Sequence, residues 1–542
     1  MPIRITGMNS GLDTEALVSE LVSAYRTKEQ KYEKAQKKLS WKQDAWKSLN
    51  TKVKNFYDNI SNLRFTSAWS TKKTTTSDTT RATVTAGTNA ANGTHSLKIT
   101  RLAKGSYITG GALQLSDQTS NQKVSADTTL AELGYTGSGE SIEVKDSTGA
   151  VVKTIAVSET TKISEIVSGI GGVSNVNASF DATNQRIFVS AKETGTANGF
   201  SLDGSAAVLQ TLGLSAAGGA KTITAQDSEI ELDGAIYTSA TNRYSINGLN
   251  IECLAESGNS EVSITTSTDT QAIYDQIKEF FSEYNSLMQE MSKLYNADSA
   301  RGYEPLTSEE KDAMTDTEVE EWEKKIKSAL LRRDDTLDGV MSSMKNAMSS
   351  SYYMYGGNAV TYDSENDYYK CNGEVLKDAN GNNITSESAL DAWAEANGVK
   401  KYSLGNLGIK TQAYLLASTE NKNCYHIDGD SDDSVSKNNT DVLMTMLNSD
   451  PDTVTGFMKR ITSDLYSAIG DRMKSIPGLS SSFTIYNDIE MAQEYSDYTD
   501  TISKWEDRIE NIEDSYYKKF AAMESALASL QSQSSSLTSL LS

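Results

Sequence analysis

Apolar residues recur every seventh position along two separate stretches of this chain. The first line is Val18, Tyr25, Tyr32, Leu39, Trp46, Val53, Ile60, with a companion at Leu21, Lys28, Ala35, Lys42, Leu49, Phe56, Leu63. The second, near the end, is Tyr495, Ile502, Ile509, Tyr516, Met523, Leu530, Leu537, flanked by Tyr498, Trp505, Ile512, Lys519, Ala526, Gln533, Leu540. A strict heptad sustained this long predicts a helix supercoiled against a partner. Lys28 and Lys42 on a seam read as register-fixing polar positions. Ser10-Gly11-Leu12-Asp13 precedes the first helix, with Asp13 or Thr14 as its cap and Glu15 near the positive helix end. A third heptad, Ile273, Ile277, Phe280, Tyr284, Leu287, Met291, Leu294, predicts a helix over 269–295, and another is predicted over 318–350.

Between these helices the period drops to two. Thr83–Ala86, Ser96–Thr100, Ser141–Val144, Arg186–Val189, Ser228–Leu232, Arg243–Ile246, Asn250–Cys253 and Glu261–Thr265 read as strands. Residues 177–190 read as a hairpin turning at Asp181–Gln185, and Lys162–Ile170 as one short helix before it.

Charge changes the picture next. Between Arg26 and Lys73 stand 13 basic and 4 acidic residues; between Asp488 and Asp514 stand 10 acidic and 2 basic. Two heptad helices of opposite sign suit each other as partners. The expected fold is therefore α+β and multidomain. The N- and C-terminal helices pair as a coiled-coil or helical-bundle stalk, and β-rich head domains are inserted between them. The expected divisions are 1–66 (foot and coiled-coil helix), 67–115 with 223–268 (β-rich head) and 116–222 (inserted α+β head). They continue with 269–350 (bundle), 351–403 (Tyr-rich insertion), 404–487 (mixed bundle) and 488–542 (C-terminal helix and tail). The Ser-rich end, residues 531–542, is weak in helical support and reads as unfolded until assembly.

Composition closes off several chemistries. The 542 residues carry a net charge of −22, 2 His, 3 Cys and 4 Pro. Usage of ~5% would give about 27 prolines, so four fits long uninterrupted helices. The acidity argues against a nucleic-acid partner. No long apolar run supports membrane insertion, and no cleavable secretory signal is visible. Cys253, Cys371 and Cys424 are odd in number and far apart, so no disulfide scaffold is expected. His95 reads as a cross-strand residue and His426 as a surface one. No P-loop, dinucleotide fingerprint, nucleophile elbow or zinc-protease motif occurs, so no catalytic residues and no cofactor or metal are assigned. Asp428, Asp430 and Asp432 resemble the start of a calcium loop, but Asp433 stands where Gly is needed and Asn439 where Glu is needed. Tyr352, Tyr353, Tyr355, Tyr362, Tyr368 and Tyr369 crowd eighteen residues. They suit either a partner surface or the packing of a small insert.

The opening Ile5-x-Gly7-x-x-Ser10-Gly11-Leu12-Asp13-Thr14-x-x-Leu17-Val18-x-x-Leu21 resembles the N-terminal signature of the bacterial flagellar filament-capping (hook-associated protein 2) family. Ala225-Gln226-Asp227, Asp233-Gly234, Asn242, Ile246-Asn247-Gly248, Val262, Thr265 and Asp269 resemble its strand-rich segment. Tyr284-Asn285-Ser286-Leu287 and Leu404-Gly405-Asn406-Leu407-Gly408-Ile409 resemble later motifs. Residues 163–195 are similar to a repeat of flagellins and hook-associated proteins. The likeness lapses in 296–330 and 350–403.

The resemblance implies a small homo-oligomeric ring at the flagellar tip that retains exported flagellin and promotes its folding and insertion. It implies flagellin, the hook–filament junction protein and a type III export chaperone as partners, and export through the flagellar type III channel to the extracellular tip. It also implies that Ile5, Gly7, Ser10, Gly11, Leu12 and Asp13 contact the filament end. Rival readings are a surface adhesin binding host glycans, an exported hydrolase, and another flagellar axial protein.

Overall fold

The computed structural model describes residues 11–119 and 122–541 and divides into two compact units, 1–69 with 270–542, and 70–269.

The unit 70–269 holds two apolar cores. Alternation decides the first: Val262–Thr268 buries every second residue, as do Leu249–Cys253 and Ser228–Leu232. These strands belong to two antiparallel sheets. One runs in the order Lys72–Thr76, Val262–Thr268, Gly93–Arg101, Ser228–Leu232, Ala235–Ser239. The other runs Arg243–Ile246, Leu249–Cys253, Ala82–Ala86. Leu97, Ile99, Ile230 and Ile264 of the first share a core with Leu249, Ile251 and Ala82 of the second. Asn247 and Gly248 both take positive φ, +46° and +82°, closing the hairpin as the I′ turn that Asn-Gly favours. A Cβ at Gly248 would meet the Ala90 nitrogen at 2.9 Å, so only glycine fits. His95 sits on Gly93–Arg101 and bonds Asp233 at 2.6 Å through Nδ1.

The second core gathers Ile108, Leu130, Ile142, Val144, Ile187 and Val189 around the helix Ile163–Gly171, which buries Ile163, Ile166 and Ile170. The hairpin pairs Val176–Asp181 with Arg186–Ala191, its turn set by Gln185 at φ +54°.

The other unit has one large core. It draws on the N-helix (Thr14–Asn59), on Thr270–Tyr295, Asp335–Met348 and Pro451–Arg472, and on the base of the C-helix (Asp488–Leu541). Heptad spacing on Thr270–Tyr295 buries Ile273, Ile277, Phe280, Tyr284, Leu287 and Met291. Tyr57 stacks on Tyr466 with ring centres 4.0 Å apart, and Thr462 Oγ1 donates to the Leu63 carbonyl at 2.8 Å. The 351–403 stretch forms small antiparallel sheets around its own cluster of Val360, Cys371, Leu376, Ile384 and Leu390.

Residues 303–328 form a charged brace along the N-helix. Thr307 and Thr315 cap Ser308–Asp312 and Asp316–Ser328 with reciprocal Glu310 and Glu318 contacts. Lys34 bonds Glu310 at 2.8 Å, and Lys42 reaches Asp334 at 2.9 Å. Glu323 gathers Lys311, Lys327 and Lys37 at 2.6, 3.1 and 3.6 Å. Trp41 lies beneath the ammonium groups of Lys37 and Lys327. Burial pushes the Glu323 carboxyl up, but the hydrogen bonds from Lys311 and Lys327 outweigh it and leave it below its ordinary 4.5. A depressed carboxyl stabilises the fold above its unfolded pKa, and that support fades as pH falls below 4.5. Glu323→Lys should lower the stability of this unit by about 2 kcal/mol in denaturant titrations at neutral pH. The deficit should shrink on acidification and in high salt; a loss equal at pH 7 and pH 3 would show that the carboxylate charge contributes nothing.

Candidate functional site

The N-helix and C-helix run antiparallel, 46 and 54 residues long, or roughly 70 and 80 Å. Side chains fix the register. Arg26 meets Glu513, Gln36 Nε2 donates to Thr499 Oγ1 at 2.7 Å, and Tyr32 lies against Tyr498 with ring centres 6.4 Å apart. Trp46 stacks on Tyr486, centres 5.5 Å apart and planes 6° from parallel. Asn50 closes the far end, donating to the Phe483 carbonyl at 3.1 Å and accepting from the Ile485 N–H at 2.9 Å.

The first of the two lines is largely covered. Val18, Leu39, Trp46 and Val53 are buried and Tyr25 and Tyr32 half-buried; Ile60 is buried too, but as the C-cap beyond the last helical residue. On the C-helix, Ile502 and Ile509 are buried while Trp505, Ile512 and Tyr516 are half-buried. The second line differs. A heptad allows it three or four positions after the first, and the contacts take four: Val22, Glu29, Gln36 and Asn50. Leu21 is therefore 44% exposed while Val22 is fully buried. Leu49 and Phe56 face the other way, into the bundle core, where Phe56 packs on Phe280 and Tyr284. Lys28 is not in a seam but lies over Trp505 at 5.7 Å.

Charge complementarity of the two helices also turns out differently. Arg26–Glu513 joins them, but Lys34, Lys37, Lys42 and Lys52 spend their charge on Glu310, Glu323, Asp334 and Glu290. A groove of about 570 Å³ between the two helices and 306–309 gathers Glu29, Glu33, Glu309, Glu506, Glu510 and Glu513 with Arg26, Lys34 and Lys37. Burial foremost, then Glu33 and Glu506, raises the Glu29 carboxyl above its ordinary value. The apolar line drives helix pairing; Glu29 and Glu506 repel across it, while Arg26 offsets this through Glu513.

At the end where the chain begins, Asp13 caps the N-helix, its Oδ1 accepting from the Ala16 N–H at 3.0 Å, and Gly11 takes φ +70°. Ile5, Gly7 and Ser10 lie outside the described residues. Leu12 and Leu17 are exposed. Carried along the Arg26–Glu513 register, the helix start lies level with about Ser525, and the C-helix continues beyond it to Leu541. The Ser-rich tail is thus helical through its described length. Hydroxyls of Ser529, Ser535, Ser536 and Thr538 donate to carbonyls one turn back. Leu530 and Leu537, read as seam residues, are each 60% exposed, because no N-helix residue reaches them.

The tyrosines are mostly committed within the chain. Tyr352 O–H donates to Asp464, Tyr353 O–H to Asp391 at 2.6 Å, and Tyr362 O–H to Asp367. Tyr369 packs on Tyr362, Tyr368 is half-buried, and Tyr355 is exposed with its ring edge-on to Trp393. The acidic loop is filled by amines. Lys278 bridges Asp430 and Asp432 at 2.7 and 2.6 Å, and Lys410 bonds Asp428 at 2.7 Å. His426 is half-buried rather than on the surface, with Nδ1 2.7 Å from Asp433. Among the described residues no group of acids, cysteines and histidines could hold a metal, and no helix is long and apolar enough to cross a membrane.

The family model for the flagellar hook-associated protein 2 N-terminus matches residues 10–106, and that for its C-terminus residues 225–532. A flagellar hook-associated protein 2 of Halalkalibacterium halodurans is 25% identical over 99% of both chains. An A-type flagellar hook-associated protein 2 of Pseudomonas aeruginosa is 26% identical over 54% of this chain and 63% of its own. The D1-D2-D3 domains of the flagellar cap protein FliD from Escherichia coli superpose with a TM-score of 0.46 at 17% identity, covering 78% of this chain and 96% of that one.

Proposed function

The chain belongs to the flagellar hook-associated protein 2 family, and on that premise we propose that it caps the distal end of a growing flagellar filament. There it retains exported flagellin and promotes folding and insertion of each subunit. The observation that carries this reading is the antiparallel pairing of the two chain ends. It sets Gly11–Asp13 and the overhanging C-helix at one end of the helix pair, with exposed Leu12, Leu17, Leu530 and Leu537.

The work is mechanical. Gly11, Leu12 and Asp13, with Ile5, Gly7 and Ser10, meet the filament end. Asp13 also caps the helix, so its substitution has a stability component of about 1 kcal/mol. Contacts through a few exposed leucines are weak enough to be remade as each flagellin changes the step. The partners are other copies of this chain in a small ring, flagellin, the hook–filament junction protein and an export chaperone, reached through the flagellar type III route. Three buried free cysteines and no cross-link suit passage of an unfolded chain. The adhesin reading finds no support, and we assign no catalysis.

Removing the gene should leave cells that shed flagellin into the medium as soluble monomer and swim poorly. Expression of the intact chain should restore filaments. Normal filaments in the deletion strain would refute the capping role.

A further inference from the structure

The line of the N-helix that faces the C-helix runs Val22, Glu29, Gln36, Asn50, so an acid stands where a heptad calls for an apolar residue. Glu29 is half-buried there, between the Val22 layer and the large core that begins at Leu39. Across the seam it faces Glu506 and Glu513, and one turn along its own helix stands Glu33. Glu510 completes the acids of the C-helix face, and residues 306–309 add Glu309 from the third side. The bases on the same groove are engaged: Arg26 bonds Glu513, Lys34 bonds Glu310, and Lys37 lies 3.6 Å from Glu323. Burial foremost, then Glu33 and Glu506, outweigh the help Arg26 gives and hold the Glu29 carboxyl above its ordinary 4.5.

This acid layer sits where the pair is held by little else. From Leu39 towards the chain start, the buried apolar residues of the N-helix are Val18 and Val22, and on the C-helix Ile502 and Ile509 flank Glu506. Turns with so few buried side chains open locally at small cost. We propose that Glu29 is a proton-operated catch on the helix pair: ionised, it lets the turns Thr14–Glu33 part from the C-helix, and neutral, it seats in the seam and holds them closed. The neutral carboxyl can donate a hydrogen bond to a facing carboxylate, so one proton taken from solvent turns repulsion into attraction. A carboxyl raised on pairing holds its proton more tightly in the closed pair than in the open one. Closure therefore strengthens as pH falls through the raised value towards 4.5, and is weakest above it. Glu310, bonded by Lys34, and Glu323, where the lysine bonds outweigh burial, are shifted the other way and stay ionised through that window. The catch belongs to the helix pair itself and does not depend on what the chain start binds.

The test is amide hydrogen exchange of the full chain, corrected for the intrinsic rate at each pH. Protection of residues 14–33 should rise by about threefold or more from pH 8 to pH 5, a rise not shared by the turns around Trp46. Glu29→Gln should show the pH 5 protection at both pH values, and Glu506→Gln should diminish the pH dependence. Glu20→Gln, at an exposed site on the same helix, should behave as the wild type. Wild-type protection of 14–33 that is level or falls towards pH 5 overturns the catch, as does a Glu29→Gln variant that keeps the wild-type pH dependence. A dependence lost equally with Glu20→Gln, or shared equally by the turns around Trp46, assigns it to net charge and overturns the catch as well.

Discussion

Cells carrying the chain without residues 1–13 are expected to fold and export it yet to make no full-length filament. The large core of this unit begins at Leu39, and within the deleted segment Asp13 caps the described helix. Its loss costs about 1 kcal/mol and frays the first turns of the N-helix without reaching Trp46. Function should fall far more than stability, because the SGLD start and the exposed Leu12 go with the deletion. Filament length by electron microscopy should collapse while secreted protein by immunoblot stays near normal. Truncating after Leu530 should act in the same direction, since Leu537 lies beyond the N-helix and packs on nothing within it. Full-length filaments from either truncation would remove the chain ends from the contact with the filament.

The second large effect is on stability. Trp46→Ala should destabilise the paired-helix unit by about 3–5 kcal/mol, since a fully buried indole stacked on Tyr486 is replaced by a cavity. The unit 70–269 has its own cores, so its unfolding transition should not move. Paired controls separate the two seam registers. Val22→Ala removes a fully buried side chain and should cost about 1–2 kcal/mol, whereas Leu21→Ala, at an exposed site, should stay within about 0.5 kcal/mol. Equal effects at positions 21 and 22 would contradict the observed register. Denaturant titration followed by tryptophan fluorescence reads all three, because every tryptophan lies in the paired-helix unit, and far-UV circular dichroism reads the 70–269 transition.

Much of the architecture is written locally. The heptads alone located both long helices, because a seven-residue repeat has meaning only against a partner, whereas the choice between Asp13 and Thr14 as cap was left to the structure. Period-two stretches and Asn-Gly or Asp-Gly punctuation located the strands around Leu97, Ile230 and Ile251 in the same way. The SGLD start and the later motifs carried the family. What periodicity could not decide was which neighbouring line of the N-helix faces the C-helix. Leu21 and Val22 are both apolar, and only three-dimensional register buries one and leaves the other in water. Net charge pointed to the right partner helix but not to the contacts the lysines make, for a related reason. It is a sum over a whole helix, whereas an ion pair forms at about 3 Å. The folded bundle placed Glu310, Glu323 and Asp334 within that reach of the lysines, and set Glu29 against Glu506. The acidic loop resembled a calcium site until folding brought Lys278 and Lys410, distant in sequence, into its centre. Short-range pattern thus fixed what each segment is, and long-range packing alone fixed what each charged or exposed side chain meets.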